Sequence, residues 1–258
     1  MEYATIKLTL ADNAATIRLN RPDKMNALNS QMRAELTHAI KDMGAKARVI
    51  VLTGEGPAFC SGQDLGDGKA IAPDDLPRIL EDEYVPMLNA IYDCPVPVIA
   101  AVNGAAAGAG ANLALACDVV IAAESAVFIQ AFTRIGLMPD AGGTWFLPRQ
   151  IGMAKAMGSM LFADTIAARK AADWGMIYEA IADEGFEAYW QTRIAQLASG
   201  PTEAYRSIKQ AVRASYGNTV QEQLLLEAEL QGVCGKTTDF KEGVMAFLEK
   251  RPAKFQGK

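Results

Sequence analysis

Two short apolar runs, each closing on a glycine-bearing turn, constrain this chain most. The first, "ARVIVLTG" (47–54), leads into "EGPAFCSGQDL"; the second, "VPVIAAVNG" (96–104), leads into "AAAGAGANLALAC". Runs this short and this uniformly apolar read as strands buried on both faces, and the glycine/alanine stretch after the second opens a helix. "DVVIAAES" and "AVFIQ" repeat the strand signal further along. Strand, glycine loop and helix alternate, which specifies an α/β core with its loops gathered where the strands end.

The flanking segments fit that core. "YATIKLTL" and "AATIRLN" alternate in polarity around "ADN" and predict a β-hairpin. "NSQMRAELTHAIKDM" repeats Met32, Leu36, Ile40 and Met43 on one face behind a capping residue, Asn29 or Ser30, and predicts an amphipathic helix. "PDDLPRILEDEYVPMLNAIYDC" reads as helical despite its prolines. From about Gly142 onward helix signals dominate, with "WGMIYEAIA" the strand-like interruption. "PTEAYRSIKQAVRAS", "TVQEQLLLEAELQGVC" and "TTDFKEGVMAFLEK" predict three capped helices in succession. The expected division is a core domain over 1–200 and a helical region over 201–258.

Composition narrows the functional class. With 258 residues, half of them hydrophobic, the chain can bury a sizeable core. A net charge of −5 argues against nucleic acid or an anionic membrane as a partner. Four scattered cysteines without a CxxC pair give neither a disulfide framework nor a zinc site. "MEYATIKLTL" alternates like a strand instead of carrying a leader, and no apolar run reaches membrane-spanning length. The expectation is a soluble, cytoplasmic protein.

Candidate chemistry is limited by what is missing. The chain has one histidine, His38, so no Ser-His-Asp or Cys-His arrangement and no histidine-rich metal site can be assembled. No metal is expected. Cys60 reads as a small packing residue, and "GAGANL" departs from a dinucleotide fingerprint at Leu113. What remains is the pair of glycine turns, "AFCSGQDL" and "NGAAAGAGANLAL". Backbone N–H groups converging from two such turns make an oxyanion hole able to stabilise an enolate formed from a thioester or ester. A third glycine loop, "GLMPDAGGTW", carries a lone carboxylate, Asp140, among apolar neighbours. On spacing alone, Asp140 reads equally as a general base and as a cap for the helix opening at "AGGTWFLPR".

Taken together, "LNRPDKMNALN", "VIVLTGEGPAFCSGQDL", "PVPVIAAVNGAAAGAGANLALACDVVIAAESAVF", "IGLMPDAGGTWFLPRQIG" and "AADWGMIYEAI" resemble the enoyl-CoA hydratase/isomerase (crotonase) family along essentially the whole chain. The resemblance implies a spiral of ββα units with a C-terminal helical trimerisation region. It also implies a homotrimer or dimer of trimers, and an acyl group bound as a coenzyme A thioester, with coenzyme A part of the substrate and no separate cofactor. Matched residue by residue, the family's two oxyanion N–H groups fall on Gln63 and Ala109. The two glutamates with which hydratases hold and split water fall on Asn112 and Phe132. An amide cannot act as a base, nor a phenyl ring bind water as a carboxylate does, so two-glutamate hydration is not expected. Asp140 matches the position where isomerase branches carry their catalytic acid.

A single carboxylate beside an enolate-stabilising hole can take a proton from one carbon of the acyl group and return it to another. Asn112, Phe132 and Trp145 are expected around the acyl group, with Phe132, Met138 or Trp145 desolvating Asp140 and raising its pKa. Lys24, Lys250 and Lys254 are candidates for the coenzyme A phosphates, the two tail lysines for a neighbouring subunit's site, with Asp64 and Leu65 bordering the adenine and pantetheine path. Within the family, "FCSGQDL", "FTRIGLMPDAGGTWFLPR" and the tail "EGVMAFLEKRPAKFQGK" are most similar to the branch that isomerises ring-1,2-epoxyphenylacetyl-CoA to an oxepin during phenylacetate breakdown. That branch also shifts enoyl double bonds. A general enoyl-CoA hydratase or double-bond isomerase of fatty-acid oxidation is the competing enzyme reading, and a non-catalytic acyl-CoA-binding scaffold the reading from another class.

Overall fold

A computed structural model of the chain describes residues 2–66 and 75–258. The chain enters through a hairpin of β1 (Ile6–Ala11) and β2 (Ala14–Leu19), paired antiparallel with Ile6 opposite Leu19. Its turn is made by Asp12 and Asn13, both at positive φ, which these two residue types tolerate best. Helix α1 (Ser30–Gly44) follows, and the cap is Asn29, whose side chain accepts from the Met32 N–H at 2.9 Å.

The centre is built by one repeated step. Strand β3 (Val49–Gly54) enters a large sheet and β4 (Ala58–Cys60) a small one. The chain then returns through α2 (Asp75–Ile79), a π-helical stretch (Leu80–Tyr84) and α3 (Val85–Tyr92). Strands β5 (Val98–Val102) and β6 (Ala105–Ala107) repeat the pair before α4 (Ala109–Leu115), and β7 (Val119–Ala123) and β8 (Val127–Ile129) repeat it again. Each step advances both sheets by one strand, so β3, β5 and β7 pair in parallel in one sheet and β4, β6 and β8 in the other. This is the expected spiral of ββα units, and its handover from sheet to sheet is what carries each loop to the same edge of the molecule. The three-residue strands of the small sheet are too short to show a periodicity, and of them only "AVFIQ" was legible.

Helix α5 (Gly143–Phe162) is interrupted at Gly152, and β9 (Ile166–Ala167), α6 (Ala168–Asp173), β10 (Glu179–Ile181) and α7 (Asp183–Ala198) complete the core. The large sheet runs β1-β2-β3-β5-β7-β10 and the small one β4-β6-β8-β9. One continuous apolar core extends from Ile6 to Ala198 among the described residues. Helices α8 (Thr202–Ala214), α9 (Val220–Gly235) and α10 (Thr238–Leu248) lie outside it. Thr219 and Thr237 cap the last two, but α8 opens after Pro201 with no side-chain cap, against the sequence expectation. Ion pairs instead hold α8 to the core: Asp118, just before β7, meets Lys209 at 2.8 Å and Arg213 at 2.6 Å. No helix among the described residues is long and apolar enough to cross a membrane.

Candidate active site

The two glycine turns meet. Gly62, just after β4, sits at φ +95°, and a Cβ there would lie 3.3 Å from the Ala109 nitrogen. From the other side, a Cβ on Gly110 would collide with the Cys60 carbonyl oxygen. Only glycine at both places lets the backbones approach this closely. Ala109 is the first residue of α4, so its N–H has no partner within the helix. Around Gln63, the Gly62 carbonyl accepts from Leu28 N–H at 2.8 Å and the Asp64 N–H donates to the Leu28 carbonyl at 3.1 Å. The Gln63 N–H itself has no acceptor among the described residues. Two uncommitted backbone donors therefore stand side by side, which is the arrangement an oxyanion hole needs.

The Gln63 turn is braced by residues that sequence reasoning missed. The Gln63 side-chain carbonyl accepts from Arg33 Nη1 at 2.9 Å and from the Tyr84 hydroxyl at 2.6 Å. Arg33 is 2% exposed and also donates to the Leu28 carbonyl at 2.7 Å and, from Nε and Nη2, to Glu83 at 2.9 and 2.7 Å. Its signal was present in the sequence: Arg33 stands three and seven residues before Leu36 and Ile40, inside the apolar stripe of α1. A charge in such a stripe is buried with partners or the helix does not pack.

Asp140 lies on the loop that precedes α5. The helix-cap reading fails, since α5 is capped by Gly142 with no side-chain bond and only the Asp140 backbone carbonyl reaches it, accepting from Gly143 N–H at 2.9 Å. The carboxylate has no hydrogen-bond or ion-pair partner among the described residues, and burial alone pushes its pKa up to about 6. The sources of that burial are not all the expected ones. Phe132 is buried, and its ring lies against Gly108, the residue preceding the Ala109 turn. Met138 is instead 67% exposed. Trp145 leaves the site as well. It stacks under Arg149 at 4.1 Å, meets Tyr92 and Phe146 edge-on, and lines a separate 340 Å³ groove with Arg213 and Tyr216. Neither Asp140 nor the two oxyanion residues line that groove. Asn112 is fully buried, and both ends of its amide are bonded, Nδ2 to the Asp140 carbonyl at 2.7 Å and Oδ1 to Gln130 Nε2 at 2.8 Å.

A paired backbone donor site with one desolvated carboxylate is thus carried on a ββα spiral, and the family model described as enoyl-CoA hydratase/isomerase matches residues 10–258. The chain belongs to that family. A Rhodobacter capsulatus protein described as "Probable enoyl-CoA hydratase" is 60% identical over all of both chains. The Escherichia coli 1,2-epoxyphenylacetyl-CoA isomerase is 45% identical over 94% of this chain and 95% of its own. Among solved structures, an enoyl-CoA hydratase from Bacillus anthracis superposes with a TM-score of 0.94 at 31% identity, covering 99% of this chain and 100% of its own. The protein is accordingly an enzyme of the enoyl-CoA hydratase/isomerase family, acting on acyl-CoA.

The residues expected at the coenzyme A part of such a substrate divide in two. Lys24 is exposed beside the Gln63 turn: Ser61 donates from its N–H to the Met25 carbonyl at 3.0 Å and from its hydroxyl to the Lys24 carbonyl at 3.4 Å. Asp64 shapes the loop. Although burial opposes ionisation, the Gly66 N–H at 2.9 Å and Arg21 at 2.7 Å hold its carboxyl below the usual range. Leu65 is 61% exposed at the end of that loop. Lys250 and Lys254 lie elsewhere in the chain. Their tail packs with α10 beside Arg48, which precedes β3 and donates to the Phe255 carbonyl at 3.4 Å. Within one chain the structure joins Lys24, Asp64 and Leu65 to the oxyanion turn and leaves the tail lysines apart from it.

Proposed function

We propose that this enzyme is an isomerase that moves a proton along a CoA-linked acyl group, with ring-1,2-epoxyphenylacetyl-CoA as its substrate and an oxepin as the product. One observation carries the reading: Asp140 is the one carboxylate among the described residues whose pKa is raised, and an amide and a phenyl ring occupy positions 112 and 132. The Gln63 and Ala109 N–H groups hold the thioester oxygen while Asp140 removes a proton from the carbon next to the thioester carbonyl, leaving an enolate. Protonated Asp140 then returns the proton to another carbon. With the aromatic epoxide, the ring C–C bond shared with the epoxide opens electrocyclically, and the proton moves from the side-chain carbon to the ring. With a simple 3-enoyl-CoA the same transfer, from C2 to C4, shifts the double bond, and no atoms are gained or lost in either case. The 45% identity to an isomerase of this substrate supports the assignment.

The reading extends to phenylacetate breakdown in a reducing cytosol, supported by four free cysteines. It also extends to a homotrimer or dimer of trimers, supported by the apolar side chains left exposed on the C-terminal helices, among them Val220, Leu225, Phe247 and Leu248. Lys250 and Lys254 then meet the coenzyme A phosphates of a neighbouring subunit, while Lys24, Asp64 and Leu65 border the coenzyme A of their own. The name of the Rhodobacter capsulatus relative favours a second reading, enoyl-CoA hydration. A panel of CoA thioesters including the aromatic epoxide decides between them. Oxepin formation and double-bond shift faster than crotonyl-CoA hydration support isomerisation. Hydration as the dominant reaction overturns it, and tight binding of every thioester without turnover makes the protein a scaffold.

A further inference from the structure

Position 112 carries more than the loss of a carboxylate. A backbone carbonyl only accepts hydrogen bonds, so the Asp140 carbonyl, 2.7 Å from Asn112 Nδ2, fixes which end of the Asn112 amide faces it. The Asn112 Oδ1 must then face Gln130, which donates from Nε2 at 2.8 Å. Gln130 is 1% exposed, and its Oε1 is buried without a partner among the described residues. The chain of donors therefore runs one way, from the end of β8 through α4 to the Asp140 loop, and it holds although it leaves one acceptor unsatisfied.

We infer that Asn112, oriented by Gln130, is the positioning residue that sets the Asp140 carboxylate against the oxyanion hole. This rests on the reading of Asp140 as the acid/base. Ala109 and Asn112 are three residues apart on α4, so a single helical turn carries the oxyanion donor at its start and the tether of the base at its end. The span between the two is thereby set by helix geometry instead of by a loop. The approach is close: a Cβ on Gly143 would lie 2.4 Å from Asn112 Nδ2. A glutamate at 112 is a methylene longer and presents an acceptor to an acceptor. An ionised carboxylate at 112 would therefore forfeit the donor that this loop uses.

The test is the double-bond shift of an enoyl-CoA thioester by Asn112→Leu and Asn112→Asp, with Asp140→Asn as control. Asn112→Leu should lower kcat about tenfold to a hundredfold, the usual effect of a displaced catalytic group, with KM within about twofold. Asn112→Asp should behave differently, because only a protonated carboxyl can donate to the Asp140 carbonyl. Its activity relative to the unmodified enzyme should fall as pH rises, a trend that lost packing would not produce. Asp140 is common to both enzymes, and burial keeps neutral both Tyr84, which feels the Asp140 charge, and Cys60, which lies against Gly110 of α4. A kcat for Asn112→Leu within twofold of the unmodified enzyme overturns the inference. So does a pH-independent ratio for Asn112→Asp, which serves alone if the leucine variant does not fold. Turnover that survives Asp140→Asn overturns instead the acid/base reading of Asp140.

Discussion

The Tyr84 hydroxyl donates to the Gln63 side-chain carbonyl at 2.6 Å, so the residue whose backbone N–H faces the site is gripped by its own side chain. The same oxygen accepts from Arg33, whose guanidinium lies 4.7 Å from the centre of the Tyr84 ring. The turn is thus held rigid from α1 and from the π-helical stretch at once. Preorganised donors stabilise developing charge because they do not have to reorient during the reaction.

Tyr84→Phe removes one of the two grips and leaves the other. A neutral hydrogen bond contributes about 1 kcal/mol, so kcat should fall by about fivefold at most and the melting temperature by about 2–4 °C. Arg33→Met acts on the fold itself, since it leaves Glu83 without its partner and the Leu28 carbonyl and Gln63 with one donor each, the Asp64 N–H and the Tyr84 hydroxyl. Breaking a buried ion pair typically costs 3–5 kcal/mol, and with Glu83 partly exposed about 3 kcal/mol is expected in denaturant unfolding. A Tyr84→Phe enzyme more damaged in stability than in turnover would contradict this division.

Asp140→Asn keeps the shape of the loop and removes the base. General acid–base catalysis typically contributes about 10²–10⁴-fold, and kcat should fall in that range while the variant still binds the CoA thioester. Solvent deuterium should cease to enter the acyl carbons at the same time. Persisting exchange would mean that another group moves the proton.

Much of this was legible in the sequence because it is local. The Asp12-Asn13 turn, the Asn29 cap and the buried strands each depend on a few neighbouring residues, and a lone acid in "GLMPDAGGTW" was conspicuous on its own. The brace of Arg33, Glu83, Tyr84 and Gln63 is made of bonds between residues 21 to 51 positions apart, and no pattern within one segment announces it. Trp145 shows the opposite error. It is near Asp140 in sequence, but α5 begins between them and its first turn carries the indole toward Tyr92. The tie from Asn112 to the Asp140 carbonyl was equally invisible, since only the fold brings α4 under that loop.

The raised pKa of Asp140 makes two pH predictions of opposite sense. As a base it works ionised, so kcat/KM should rise as pH passes through about 6. For stability, the folded state holds its proton up to about 6 and the unfolded chain only to about 3.9, so folding is progressively disfavoured between those values. Asp140→Asn removes that penalty. Its melting temperature should exceed that of the unmodified enzyme above pH 6 and lose the advantage near pH 4. An advantage of equal size at both pH values would show that the burial of the carboxylate is not its source.

Gly62→Ala tests the oxyanion turn without touching a side chain. At φ +95° an alanine is strained, and its Cβ would lie 2.8 Å from the Ala107 carbonyl oxygen, with the Ala109 nitrogen just beyond. Left-handed backbone at a residue with a Cβ costs about 1–3 kcal/mol, so the turn should shift and carry the Gln63 N–H with it. Loss of one oxyanion donor typically lowers kcat about 10²–10³-fold, and that is the expected effect here. The coenzyme A end of the substrate is gripped by other residues, so calorimetric affinity for a CoA thioester should change by only about tenfold or less. Equal losses in affinity and turnover would place the Gly62 turn in substrate binding at large instead of in stabilising the enolate.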